Sequence, residues 1–333
     1  MELFNLVCLK IQLIMRFNAF SKCKKGECKV KHKHPFFPKG KQMNIRGKLL
    51  YVEIYGSSEN RPILYLHGGP GEMCFDFTYH QAHRLQDSFQ LIAIDQRGAG
   101  RSAKIEKQEQ FGLQDIIEDC EELREMLQIE KWSVIGHSFG GFLALLYATL
   151  YPQSIQKIIF EGPTFDFSLT SRSLLKKTGA LLIKYGKEKI GKECIAISES
   201  DINSAELLEA YVKLSNELGE KRMEIYDYGE DETDYSLYSE VEWEQFYKRS
   251  EIHFARLKEE GTFHTSLLSK LKTVKNPMLL MVGKYDVVTC EKQVQAFHQN
   301  AQNGQVIVLE ECGHTPHYEK ADLFAAAVTN FLK

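Results

Sequence analysis

A chain of 333 residues, 43% hydrophobic and 26% charged, can bury the core of one large α/β domain with an insertion and needs no cysteine staples. Its net charge of −3 is uneven: residues 1–48 hold 12 Lys and Arg against 2 Asp and Glu, leaving 30 against 43 in the remainder. The acidic body argues against nucleic acid as a main partner, because phosphate binding relies on clustered Lys and Arg.

Eight cysteines at irregular spacings read as reduced thiols, and a cytoplasmic chain is expected. The segment from Leu3 to Phe20 comes nearest to a membrane span, but Lys10 and Arg16 interrupt it short of the roughly 18 apolar residues needed. It has no preceding basic region and no small-residue cleavage site, so no signal peptide is expected either. Residues 1–42 read as a basic extension outside the main fold. Cys23, Cys28, His32 and His34 fit no common zinc spacing and are interleaved with five lysines, so a solvated tail is expected there, with no metal and no cofactor.

From Met43 the pattern becomes regular. MNIRGKLLYVEIYG reads as a two-stranded opening, RPILYLHGGPG as a buried strand running into a glycine turn, and FQLIAIDQRGAGRS as another buried strand ending in a polar turn. Cys74 to Leu85 is expected as a crossover helix, and Asp115 to Leu127 as a second, with Ile116, Ile117, Cys120, Leu123 and Leu127 on one face. The stretch from Trp132 to Leu150 reads as strand, sharp turn and helix, and QKIIFEGP as a strand ending near Glu161. From Thr164 to Lys275 the pattern is helical without a convincing buried strand. Strands return in PMLLMVGKYD and QVIVLEECGH, with helices from Cys290 to Gln299 and Lys320 to Leu332. Alternating strands and helices imply a mostly parallel sheet covered on both faces. The expected organisation is an α/β core of residues 43–163 and 276–333 under a helical cap of residues 164–275, with ligands at the carboxyl ends of the strands.

The turn Gly136-His137-Ser138-Phe139-Gly140 has the G-x-S-x-G form, which holds a serine above the sheet as a nucleophile. A serine hydroxyl is protonated at neutral pH, so it needs a base, a carboxylate to orient that base, and donors for an oxyanion. His314, just past the last strand, is the expected base. Asp286, after the preceding strand, is the expected acid, with Glu161 or Asp166 as alternatives. The order Ser138, Asp286, His314 is that of an α/β-hydrolase. The N–H groups of Phe139 and Gly69 are the expected oxyanion donors. Asp95 and Arg97 are expected to brace the loops around the glycine turn.

His67-Gly68-Gly69-Pro70-Gly71, the run Asp95 to Ser102 and the serine turn together resemble the proline iminopeptidase branch of the α/β-hydrolases over about residues 43–333. That resemblance implies an α/β-hydrolase fold and release of N-terminal proline, with cap glutamates receiving the substrate amine. Trp243-Glu244 resembles the family's Trp-Glu pair and nominates Glu244 as an amine acceptor. Glu230, Glu232, Glu259 and Glu260 compete for the second position. The family's earlier tryptophan is absent, and His137 and Phe139 flank the serine where iminopeptidases more often have small residues or tryptophan.

The expected function, as the resemblance implies, is a cofactor-independent serine hydrolase of the iminopeptidase-like kind, an aminopeptidase that acts through an acyl-enzyme on a short peptide or other small molecule. A carboxylesterase or lactonase with the same triad, and a ligand-binding homologue without turnover, are the alternatives. Neither charge nor pattern implies an oligomeric state.

Overall fold

The computed structural model describes residues 38–333. Cys23, Cys28, His32, His34 and the rest of the basic extension up to residue 37 lie outside the described residues. No helix among the described residues is long and apolar enough to cross a membrane.

Among the described residues, eight strands form one sheet in the order β1-β2-β4-β3-β5-β6-β7-β8. The strands are β1 (Gly40–Ile45), β2 (Lys48–Tyr55), β3 (Arg61–Leu66), β4 (Phe89–Ile94), β5 (Trp132–His137), β6 (Ile155–Glu161), β7 (Met278–Gly283) and β8 (Gly304–Leu309). β1 and β2 form an antiparallel hairpin, β2 is antiparallel to β4, and every other pairing is parallel. β1 begins three residues earlier than the sequence pattern suggests, because Gly40, Lys41 and Gln42 pair with Glu53, Val52 and Tyr51. An edge strand bonds through its backbone, so a polar run can extend it without burying a side chain.

Alternating side chains divide the sheet into two buried faces. Leu64, Leu66, Ile92, Ile94, Val134 and Phe160 face α2 (Leu113–Met126) and α3 (Phe139–Leu150). Ile63, Tyr65, Leu91, Ala93, Ile135 and Ile159 face α1 (Phe75–Leu85) and α10 (Ala321–Leu332) on the other side. Every residue of β5 and β7 is buried, as expected for central parallel strands covered on both faces. The ends of these strands are therefore fixed platforms for the loops that follow.

Between β6 and β7, the described residues form helices and irregular turns and no strand. α4 (Phe167–Lys184) packs on α5 (Glu188–Glu199), followed by α6 (Ser204–Ser215) and a 3₁₀ segment (Asn216–Ile225). A Cβ on either Gly179 or Gly191 would meet the other's carbonyl oxygen at 2.6 Å, so glycine sets the close approach of α4 and α5. α7 (Glu240–Glu260) starts in a Ser239/Glu242 capping box and ends at Gly261, whose φ of 78° closes the helix. Its buried stripe, Trp243, Phe246, His253 and Leu257, follows helical spacing and points toward the core. Two polar groups on this side complete the docking: Arg249 donates to Gly100 O at 2.8 Å, and the His253 ring nitrogen to Arg97 O at 2.8 Å.

Candidate active site

Ser138 joins β5 to α3 with φ 54° and ψ −117°, outside the conformations a non-glycine residue ordinarily adopts. The close approaches around it explain the glycines. A Cβ on Gly136 would lie 2.3 Å from Gly140 O, and one on Gly140 would lie 2.0 Å from Leu66 O. The serine backbone is tied on both sides: its N–H donates to Glu161 O at 2.9 Å, and its carbonyl accepts from Gly141 at 2.9 Å and Thr164 at 3.1 Å. Phe139 is the first residue of α3, where an N–H has no acceptor within the helix.

His314 and Asp286 meet after β8 and β7. His314 Nδ1 donates to Asp286 Oδ1 at 3.1 Å, leaving Nε2 as the ring's proton acceptor. The same carboxylate oxygen accepts from Val288 N at 2.7 Å and Thr289 N at 3.4 Å. Burial alone would lower the His314 pKa, but the Asp286 carboxylate reverses this and holds it above the ordinary histidine value.

The glycine turn after β3 lies directly on the serine. A Cβ at Gly68 would sit 3.0 Å from Ser138 Cβ, so the Gly68-Gly69 backbone packs against the turn. His67 secures it from below: Nδ1 donates to Gly68 O at 3.0 Å, Nε2 accepts from Gln96 N at 2.9 Å, and Gln96 Nε2 donates back to His67 O at 2.9 Å. Burial lowers the pKa of His67, in keeping with this neutral tautomer. Asp95 accepts from Cys74 N and Arg101 N, both at 2.8 Å, and from Arg101 Nε at 2.7 Å, bracing the two turns. Arg97 does not share that task. Its guanidinium binds Asp119 of α2 through Nε at 2.8 Å and a terminal nitrogen at 2.6 Å.

The α/β-hydrolase family model matches residues 61–321, most of the chain. The chain belongs to the α/β-hydrolase fold family. Over 279 residues, covering 80% of this hydrolase and 85% of the relative, it is 28% identical to a probable proline iminopeptidase of Leptolyngbya boryana. It is 24% identical to the proline iminopeptidase of Thermoplasma volcanium, covering 87% of this chain and 95% of the relative. The solved proline iminopeptidase of Mycobacterium smegmatis superposes with a TM-score of 0.66 at 21% identity, over 88% of this chain and 97% of the other. The chain is thus an α/β-fold hydrolase that is similar to proline iminopeptidases.

Ser138, His314 and Gly69 of the hydrolase line one cavity of about 800 Å³ between the strand ends and the helical insertion. Seven carboxylic acids also line it among the described residues, Glu72, Asp76, Glu220, Asp227, Glu230, Asp231 and Glu251, against the cationic Lys221 and Arg222. Phe75, Trp243, Phe246 and Tyr247 form an apolar wall. Asp227 is pushed up to about 7 by burial. Glu244 is not on this wall. It is exposed and pairs with Lys248 at 2.9 Å, because burial of the adjacent Trp243 turns the next position of α7 outward. The amine acceptor expected at Glu244 thus lies outside the lining of this cavity. Of its proposed companions, Glu230 lines the cavity, whereas Glu232, Glu259 and Glu260 do not.

A second buried polar group underlies the serine turn. Both Glu161 oxygens lie 3.0 Å from His317 Nδ1, and Glu161 Oε1 accepts the His317 N–H at 2.6 Å. His137 Nδ1 lies 3.6 Å from Glu161 Oε2 and Asp76 Oδ2 lies 3.6 Å from His317 Nε2. Despite the opposing effect of burial, Glu161 and Asp76 raise His317 to about 10. Burial and the neighbouring His314 and His317 hold His137 well below the ordinary value, hence neutral. His137, Glu161 and His317 are the group among the described residues whose spacing could hold a metal ion. The pull of Glu161 and Asp76 favours a proton on His317, with which a metal would have to compete. The sequence pattern gave no sign of the Glu161–His317 pair, and Asp166 instead caps α4 by accepting from Leu169 N at 2.9 Å.

Proposed function

We propose that this hydrolase is a serine aminopeptidase of the proline iminopeptidase type, working through an acyl-enzyme. The observation that carries the reading is the strained serine turn opening, beside a carboxylate-paired histidine, into a cavity rich in carboxyl groups. In the proposed reaction Ser138 Oγ attacks the carbonyl carbon of the N-terminal residue while His314 Nε2 takes the hydroxyl proton. Asp286 holds the imidazole tautomer and stabilises the imidazolium. The tetrahedral oxyanion is received by the N–H groups of Gly69 and Phe139. His314 then returns the proton to the departing amine, leaving an ester on Ser138. Water attacks that ester with His314 again as base, releasing the amino acid and restoring the serine.

The substrate's own amine needs a seat near the reacting carbonyl. Glu72 and Asp227 suit that role, because both line the cavity and act on the charge of His314. Residues 164–275 would act as the cap that sets substrate length and shape. The apolar wall of Phe75, Trp243, Phe246 and Tyr247 also supports a second reading, a carboxylesterase or lactonase using the same triad.

Rates on a prolyl arylamide and on a short-chain aryl ester separate the two readings. The aminopeptidase reading expects Asp227→Asn to raise KM for the arylamide about tenfold or more while sparing the ester, and Glu244→Gln to change neither. Ester cleavage without arylamide cleavage would move the protein to the esterase reading.

A further inference from the structure

We propose that α9 (Pro316–Glu319), the single helical turn after His314, fastens the helical insertion to the general base. On this proposal, which rests on the reading of His314 as that base, Glu319 and Tyr318 are positioning residues. Occupancy of the cavity at Tyr226 and Asp227 is then coupled to the alignment of His314.

The fastening is built from backbone donors on both sides. Glu319 Oε2 accepts from Gly313 N at 2.9 Å, Tyr228 N at 2.9 Å and Gly229 N at 3.2 Å, while Oε1 accepts from Thr315 N at 3.1 Å. One carboxylate thus gathers the residues flanking His314 and a segment of the insertion more than eighty positions away. The His314 N–H itself donates to Tyr226 O at 2.9 Å. A Cβ on Gly313 would lie 2.2 Å from Tyr226 O, so the two backbones are in direct contact. Tyr318 adds a second strap by donating its hydroxyl to Asp227 Oδ1 at 2.5 Å. Tyr226, Asp227, Gly229, His314, Thr315 and Tyr318 all line the cavity. A displacement of residues 226–229 by a bound molecule therefore reaches His314 through bonds, several of them to a charged acceptor and correspondingly strong. Glutamine at 319 would present an NH₂ group to amide N–H donors and lose every bond made by the oxygen that it replaces.

The test combines kinetics with the low-field proton resonance of His314 Nδ1–H, using L-proline as the cavity probe. In the wild-type protein, saturating L-proline is expected to shift that resonance. Glu319→Gln is expected to lower kcat about 10–100-fold on arylamide and ester alike, the scale of a misplaced catalytic group, and to shift or broaden the resonance in a protein that still unfolds cooperatively. Tyr318→Phe is expected to remove the response to L-proline and to lower kcat about tenfold. A folded Glu319→Gln protein with wild-type kcat and an unchanged resonance would overturn the proposal. Should that variant fail to fold, Tyr318→Phe with wild-type kcat and an intact L-proline response would overturn it. His314→Ala run alongside separates the two readings: loss of turnover there with a silent Glu319→Gln condemns the fastening alone, whereas retained turnover condemns the base assignment and the fastening with it.

Discussion

Glu161 ends β6 and Asp286 follows the end of the neighbouring β7 by three residues, yet they serve different histidines: Asp286 Oδ1 lies 3.1 Å from His314 Nδ1, whereas Glu161 holds His317 Nδ1 at 3.0 Å. The two carboxylates therefore have separable effects. Asp286→Asn removes the group that fixes the His314 tautomer and is expected to lower kcat about 10⁴-fold with the fold retained. Glu161→Gln strands a buried imidazolium instead, and is expected to destabilise the protein by roughly 3–5 kcal/mol with a much smaller loss of turnover per folded molecule. Rates normalised to folded protein, together with denaturant midpoints, distinguish the two. Equal catalytic losses would contradict the assignment of Asp286.

The rate should depend on pH through His314. As a base it works only when neutral, and its pKa is raised by Asp286 against the opposing effect of burial. Activity is therefore expected to fall as pH drops through a midpoint above the ordinary histidine value of about 6.5. In Asp286→Asn only the smaller effects of Glu72 and Glu161 still oppose burial, and the residual activity should show its midpoint at lower pH. The kcat/KM profile of the aryl ester measures this, since that substrate brings no amine of its own to titrate.

His317 gives stability a separate pH dependence. Its pKa stands near 10 in the folded protein, against about 6.5 in an unfolded chain. Folding therefore favours its protonated form, and the resulting stability is fully present below about pH 6.5, declines between there and pH 10, and is gone above. Thermal midpoints of the wild-type protein should fall across that window more steeply than those of His317→Asn. Parallel curves would show that the Glu161–His317–Asp76 contact contributes nothing.

Much of this architecture was legible in the chain, for local reasons. Runs such as Pro62 to Leu66 and Trp132 to Ile135 carry strand signals within themselves, and Gly136 and Gly140 mark the serine turn because close backbone contacts admit no side chain there. The order of Ser138, Asp286 and His314 follows from strand order. What the chain concealed was the choice of partner for buried polar groups. Glu161 finds His317 156 positions later, and Glu319 reaches back to Tyr228 across 91; packing alone decides such pairs. Arg97 and Arg101 share one turn, yet only Arg101 joins Asp95. Glu244 is a different case. The helical spacing of Trp243, Phe246, His253 and Leu257 already marks the buried stripe, and one further residue turns the helix by about 100°, so the outward position of Glu244 could have been read from α7 itself.

The proposed reaction depends above all on Ser138 as its nucleophile. Incubation with a serine-directed fluorophosphonate followed by peptide mass mapping tests it most directly, with Ser138→Ala as the control. One stoichiometric adduct on Ser138 is expected, with loss of hydrolysis in step with labelling and a Ser138→Ala protein that is folded, unlabelled and at least about 10³-fold slower. Full hydrolytic activity in Ser138→Ala, or an adduct on another residue that accounts for the lost activity, would contradict it.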